Sequence, residues 1–130
     1  MATLQSRIAD LITDLGTDYK AIVASIKAVT INSQSGTSYT LVLGDAGEAV
    51  ECNNGSAITL TVPPNSSVAF PVGTVIEIVQ LGAGAVTITP GSGVTINSRG
   101  AVLKTSGQYA MAYLRKRATD TWIATGDLTS

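Results

Sequence analysis

The 130-residue chain contains no histidine and one cysteine. Histidine is the commonest general base and the commonest metal-binding nitrogen, so its absence removes the usual nucleophile–base pairs and mixed zinc sites. A single cysteine, Cys52, excludes an intrachain disulfide and reads as a small buried hydrophobe. Charge is scarce, with 8 basic and 9 acidic side chains and a formal net charge of −1. Nucleic-acid binding rests on Lys and Arg neutralising phosphates, and this balance makes no case for it. No apolar run approaches the ~20 residues needed to cross a bilayer, which argues against a membrane partner. Met1 is followed by polar residues and then a periodic segment, without the apolar core of a secretion signal. The expectation is of a soluble protein made in the cytoplasm, with no cofactor.

What is present begins with a helix. Leu4, Ile8, Leu11, Leu15, Tyr19, Ile22 and Ile26 recur at steps of four, three, four, four, three and four, within a predicted helix from Leu4 to Ile26. Leu4, Leu15 and Ile26 are eleven residues apart, as are Ile8 and Tyr19, and Leu11 and Ile22. Eleven residues in three turns keeps the stripe nearly parallel to the helix axis, with a slight right-handed drift. Asp10, Asp14 and Asp18 lie on the opposite side, where like charges four apart require solvent. Gly16 costs about 1 kcal/mol relative to alanine, so another contact must stabilise the segment. One reading makes the stripe the seam of a parallel bundle of copies; the other packs it on the chain's own sheet or on a partner. Residues 32–38, Asn-Ser-Gln-Ser-Gly-Thr-Ser, read as a flexible joint, which favours the bundle.

Beyond the joint the hydrophobic period changes to two. Strands are predicted at residues 39–43, 49–52, 58–62, 68–70, 74–81, 85–89, 94–97, 101–104, 108–117 and 121–125, separated by Gly, Pro and Asn turns. The organisation expected is a helix over 1–31, a linker over 32–38 and a β-domain over 39–130. The fold expected is mainly β: an antiparallel sandwich or barrel, jelly-roll-like. Ile58-Thr-Leu-Thr, Val86-Thr-Ile-Thr and Val94-Thr-Ile-Asn repeat one pattern, aliphatic toward the core and threonine outward. In the segment from Gln108 to Leu114, Tyr109, Met111 and Tyr113 share one face and Ala110, Ala112 and Leu114 the other. A strand apolar on both faces requires cover on both, and a neighbouring subunit would supply it.

Candidate chemistry is thin. Gly82-Ala83-Gly84-Ala85 leads into a strand instead of a helix, so it reads as a turn and not a dinucleotide loop. Asp45, Glu48 and Glu51 lack the alternating spacing of a calcium loop and read as solvated carboxylates; no metal site is expected. Glu77, within Val75-Ile-Glu-Ile-Val79, reads as a buried carboxylate paired with Arg115 or Arg117 of the same subunit or the next. Arg115-Lys116-Arg117 alternate in direction along a strand and form no single basic patch. Asn54-Gly-Ser56 and Asn65-Ser-Ser67 read as turns. Trp122 reads as a core anchor. No residue is expected to be catalytic.

Four pieces together carry a resemblance. They are Leu43-Gly-Asp-Ala-Gly47 with Asn53-Asn54; Val62-Pro-Pro-Asn-Ser-Ser-Val-Ala-Phe-Pro-Val-Gly-Thr74; Val79-Gln-Leu-Gly-Ala-Gly84 with Gly93-Val-Thr-Ile-Asn-Ser98; and Thr119-Asp-Thr-Trp122 with Thr125-Gly-Asp-Leu128. In this order, over residues 39 to 129, the series resembles a small β-domain of bacteriophage virion surface proteins: head fibres, tail fibres and capsid decoration proteins. The resemblance implies a non-enzymatic structural role at the virion surface after assembly in the host cytoplasm, as a homotrimer contacting phage capsid or tail proteins. The helix stripe and the face of Tyr109, Met111 and Tyr113 would then join the copies. The short helical shaft favours head decoration. The alternative is a tail-fibre or baseplate part that binds a host-surface glycan, and the scarcity of loop aromatics weighs against it.

Overall fold

A computed structural model describes residues 3–26 and 28–130, apart from the side chains of Tyr19 and of residues 21–26. Helix α1 spans Leu4–Ile26, as the periodicity predicts. Its start is fixed by Thr3, whose Oγ1 accepts a hydrogen bond from the Ser6 amide at 3.1 Å while its carbonyl accepts from Arg7 N at 3.0 Å. Thr13 and Thr17 donate their hydroxyls back to carbonyls one turn earlier, which keeps them from competing for other partners.

The remainder forms two mixed sheets around one core. The strands are β1 (Ile31–Gln34), β2 (Ser38–Thr40), β3 (Ala49–Cys52), β4 (Ile58–Val62), β5 (Val75–Gln80), β6 (Val86–Pro90), β7 (Thr95–Ser98), β8 (Lys104–Thr105), β9 (Met111–Ala118), β10 (Thr121–Gly126) and β11 (Leu128–Thr129). One sheet runs β1-β3-β5-β9-β10-β7 and the other β11-β8-β6-β4-β2. From β1 to β6 the chain alternates between the sheets. Each strand lies parallel to the one two places earlier, so these residues wind as a coil of three turns. The later strands add antiparallel neighbours: β9 beside β5, β10 beside β9, β8 beside β6 and β11 beside β8; β7 returns parallel to β10.

The mainly β expectation is met, but the strands are not uniformly antiparallel. Period-two alternation with a polar outer face usually marks antiparallel pairing, because parallel strands need a long crossover. Here the second sheet is the crossover. From β1 to β6 each Gly- or Asn-rich turn carries the chain to the opposite sheet. The motifs Ile58-Thr-Leu-Thr and Val86-Thr-Ile-Thr are parallel neighbours in register, Ile58 beside Val86 and Leu60 beside Ile88. Ala49 pairs with Glu77 at the same offset of 28 residues. The expected joint at 32–38 instead supplies β1 and the start of β2, since Ile31–Gln34 pairs in parallel with Ala49–Cys52. The segment 68–70, expected as a strand, is irregular chain after the turn at 65–67, and it delivers Phe70 to the core.

Inward residues of both sheets form one cluster that includes Val50, Leu60, Ile78, Ile88 and Leu114. Trp122 is buried in it, edge-on to Phe70 with ring centroids 5.5 Å apart, as the core-anchor reading expects. Stacked corners connect the layers. Leu81 N donates to Cys52 O at 2.8 Å, and Gly84 N donates to Asn54 O at 2.8 Å. The approach is so close that a Cβ on Gly84 would overlap the Ser56 carbonyl, and one on Gly82 would overlap Asn54. Gly84→Ala is therefore expected to lower stability by about 1–3 kcal/mol in urea denaturation. Gly55→Ala, at the corner beneath with nothing within 4 Å, should change it by less than about 0.5 kcal/mol.

Candidate assembly surface

The groups singled out for chemistry are dispersed or occupied. Asp45 is buried, not solvated as expected. Its Oδ1 accepts from Asn32 Nδ2 at 2.7 Å, and its Oδ2 from the Tyr39 hydroxyl at 2.9 Å and Val42 N at 2.8 Å. Gln34 Nε2 donates to Asn32 Oδ1 at 2.8 Å and extends the network. All these donors belong to the first turn of the coil and the loop after it, so the carboxylate is a clasp. Burial first, and then the bond to Asp45, raises the Tyr39 phenol above the usual tyrosine range. Asp45→Ala leaves three donors without their acceptor and should cost about 2–4 kcal/mol, readable as an earlier thermal transition with β1 losing amide protection first.

Glu77 is a second correction. It is half-buried and not buried, on the outer face of its sheet opposite Tyr113, with Arg115 as its diagonal neighbour, opposite Val75. Lys116 points inward, as alternation predicts for the basic run. It is buried, donating to Asn65 Oδ1 at 2.6 Å and Phe70 O at 2.7 Å, with its ammonium 6.0 Å from the centre of the Trp122 ring. Gln80 and Thr105 join the two sheets through a buried hydrogen bond of 2.5 Å, and Thr105 Oγ1 accepts from Val86 N at 2.8 Å. Among the described residues no three His, Cys, Asp or Glu side chains gather to hold a metal, and no described helix is long and apolar enough to cross a membrane.

The surface has a different character. Along α1, Leu4, Ile8, Leu11 and Leu15 are exposed, Leu4 by 75% and Ile8 by 49%. Tyr19, Ile22 and Ile26, the rest of the predicted seam, have side chains outside the described set. Met111 and Tyr113 project together from the outer face of β9, each 38% exposed, while Ala112 and Leu114 are buried beneath. Tyr109 lies in the turn ahead of β9, 72% exposed, at a left-handed φ of 68°. Sequence reasoning missed the residues that widen this face: Ile31, Val75 and Ile123 on neighbouring strands, and Val29 just before β1. The alternation placing Ile76 and Trp122 inward was the signal that Val75 and Ile123 face outward.

Two shallow hollows flank this face. One of about 210 Å3 is lined by Val29, Gly47, Glu48, Val75, Glu77 and Tyr113. The other, of about 190 Å3, is lined by Val72, Gly73, Arg115, Lys116, Arg117 and Ile123. A third, of about 240 Å3, lies elsewhere, beside Ser98, Arg99 and Leu128. No family model matches the chain, and no curated protein matches it.

Cys52 is buried in the core, which pushes its thiol from 9.0 up to about 11. Because the folded value lies above the unfolded one, the stability this thiol contributes is complete below pH 9 and is lost as pH rises toward 11. Relative to Cys52→Ala, the protein should lose about 2 kcal/mol across that window in chemical denaturation. At pH 8 a thiol reagent should label Cys52 only as fast as the chain unfolds.

Proposed function

We propose that this protein is a non-enzymatic structural component of a bacteriophage virion, a homotrimeric head-decoration or head-fibre protein on the capsid surface. The copies associate through the α1 stripe of Leu4, Ile8, Leu11, Leu15, Tyr19, Ile22 and Ile26, and through the β-domain face that carries Tyr109, Met111 and Tyr113. The observation that carries the reading is the exposed stripe. Leu4, Ile8, Leu11 and Leu15 lie in one row on a 23-residue helix and are left uncovered by the rest of the chain. Leaving such a row in water is unfavourable at about 25 cal/mol per Å2 of apolar surface, and parallel copies remove it. The eleven-residue spacing suits a nearly straight parallel bundle. The phage context comes from the resemblance of residues 39 to 129.

Light scattering on the full chain should give three times the 13.3 kDa chain mass. Leu11→Gln with Leu15→Gln should lower that mass at equal concentration without changing the β-sheet circular dichroism. A shortened chain for the same comparison begins at Ala28, which removes α1 and keeps β1. A full chain that stays monomeric at high concentration refutes self-assembly. Antibody labelling of phage particles in electron micrographs should place the protein on heads, and labelling confined to tails would favour the tail-fibre alternative.

A further inference from the structure

We propose that Lys116 and Asn65 join covalently, the lysine Nζ forming an amide with the side-chain carbonyl carbon of Asn65 and the asparagine Nδ2 leaving as ammonium. The link does not depend on assembly of copies. Its two ends come from distant parts of the chain. Lys116 points inward from β9, and Asn65 lies in the turn at 65–67, in the connection between β4 and β5. Lys116 is 2% exposed, and its Nζ donates to Asn65 Oδ1 at 2.6 Å and to Phe70 O at 2.7 Å. Both acceptors are neutral amide oxygens, so among the described residues the ammonium is held beside Trp122 with no carboxylate bonded to it. A charge is costly to bury in this way, and a secondary amide removes it.

The contact also brings the reacting atoms together. With Nζ at hydrogen-bond distance from Oδ1 and a C=O bond of about 1.23 Å, Nζ lies roughly 3–4 Å from Cγ, close to the ~3–3.5 Å of a near-attack pair. The hydrogen bond keeps Nζ near the amide plane. Rotation about the Asn65 Cβ–Cγ bond, a soft torsion, turns the carbonyl face toward it. The Nζ–Cγ bond then forms and the Cγ–Nδ2 bond breaks. The lysine ammonium gives up two protons and the departing Nδ2 gains two; nothing is oxidised or reduced. Asp120, in the turn between β9 and β10, carries these protons. Its Oδ1 accepts from Asn65 N at 2.6 Å, and its Oδ2 has no hydrogen bond among the described residues. A carboxylate so placed acts first as general base and then as general acid. Asn65 is only half-buried, with Ser66 and Ser67 exposed beside it, which gives the ammonium a way out. Lys116 and Asn65 are 51 positions apart, so the bond ties the connection to β9 across a long stretch of chain.

The test is intact mass spectrometry of the full chain, denatured after prolonged incubation in the folded state. The mass should be lower than the sequence mass by one ammonia. Trypsin should then release a branched peptide, residues 28–99 joined to residues 116–117. Asn65→Ala and Lys116→Met should keep their full sequence masses. Asp120→Asn should form the link at least about tenfold more slowly. Asparagine retains the Oδ1 acceptor and suits the left-handed φ of 53° at this position, so its circular dichroism should match the parent's. A folded parent that keeps its full sequence mass overturns the proposal. So does an ammonia loss that maps to an unbranched peptide at Asn54-Gly55, where an asparagine can cyclise on the next main-chain nitrogen. A link that forms in Asp120→Asn at the parent's rate overturns the role given to Asp120.

Discussion

Register between consecutive turns of the coil is the constraint on which the rest depends. Ala49 pairs with Glu77 in one sheet and Ile58 with Val86 in the other at the same offset, so the second and third turns superpose across both layers and the corner between them. A slip of one residue in either sheet would turn Ile58, Leu60 and Val62 out to water and Thr59 and Thr61 inward. The corner permits no slip, because Gly82 and Gly84 lie against the backbone of Asn54 and Ser56. The glycines are present for close approach, not for φ; neither has a positive φ.

With the register set, polar groups at the margins are satisfied from within. Asp45 closes the first turn by accepting from Asn32, Tyr39 and Val42, which gives the four-residue edge strand β1 a reason to stay paired. Lys116 is held by Asn65 and the Phe70 carbonyl, so the long Pro63–Gly73 connection is tied to β9 and Phe70 is set against Trp122. Both are charged groups kept inside by hydrogen bonds, and for both the cost of burial falls on whichever variant removes the partner.

Much of this was legible in the residues. Ile58–Val62 and Ala49–Cys52 show clean boundaries because their alternation is strict and turn residues flank them. The parallel order was legible only in retrospect, from the equal nine-residue interval between Ala49 and Ile58 and between Glu77 and Val86. Turn chemistry identifies a reversal but not the sheet that receives the chain. Ile31–Gln34 carries three polar residues and no alternation, and only its pairing to β3 makes it a strand. Asp45 sits in a Gly-rich turn that resembles any solvated loop. Its donors come from six and thirteen residues upstream, so its burial follows from tertiary closure. For the surface, periodicity singled out Met111 and Tyr113 but not their neighbours Val75 and Ile123, which belong to the same face by register.

The division between inside and outside finally bears on function. One core takes the inner faces of both sheets, and the outer face of the β4–β6 sheet carries exposed Thr59 and Thr87, which suit water. The opposite sheet differs. Its outer face carries Val75, Met111, Tyr113 and Ile123 among charges of both signs, and the helix ahead of it carries an exposed apolar row. The asymmetry between a threonine-faced sheet and an apolar-faced one supports the proposed assembly, in which one side meets solvent and the other meets further copies.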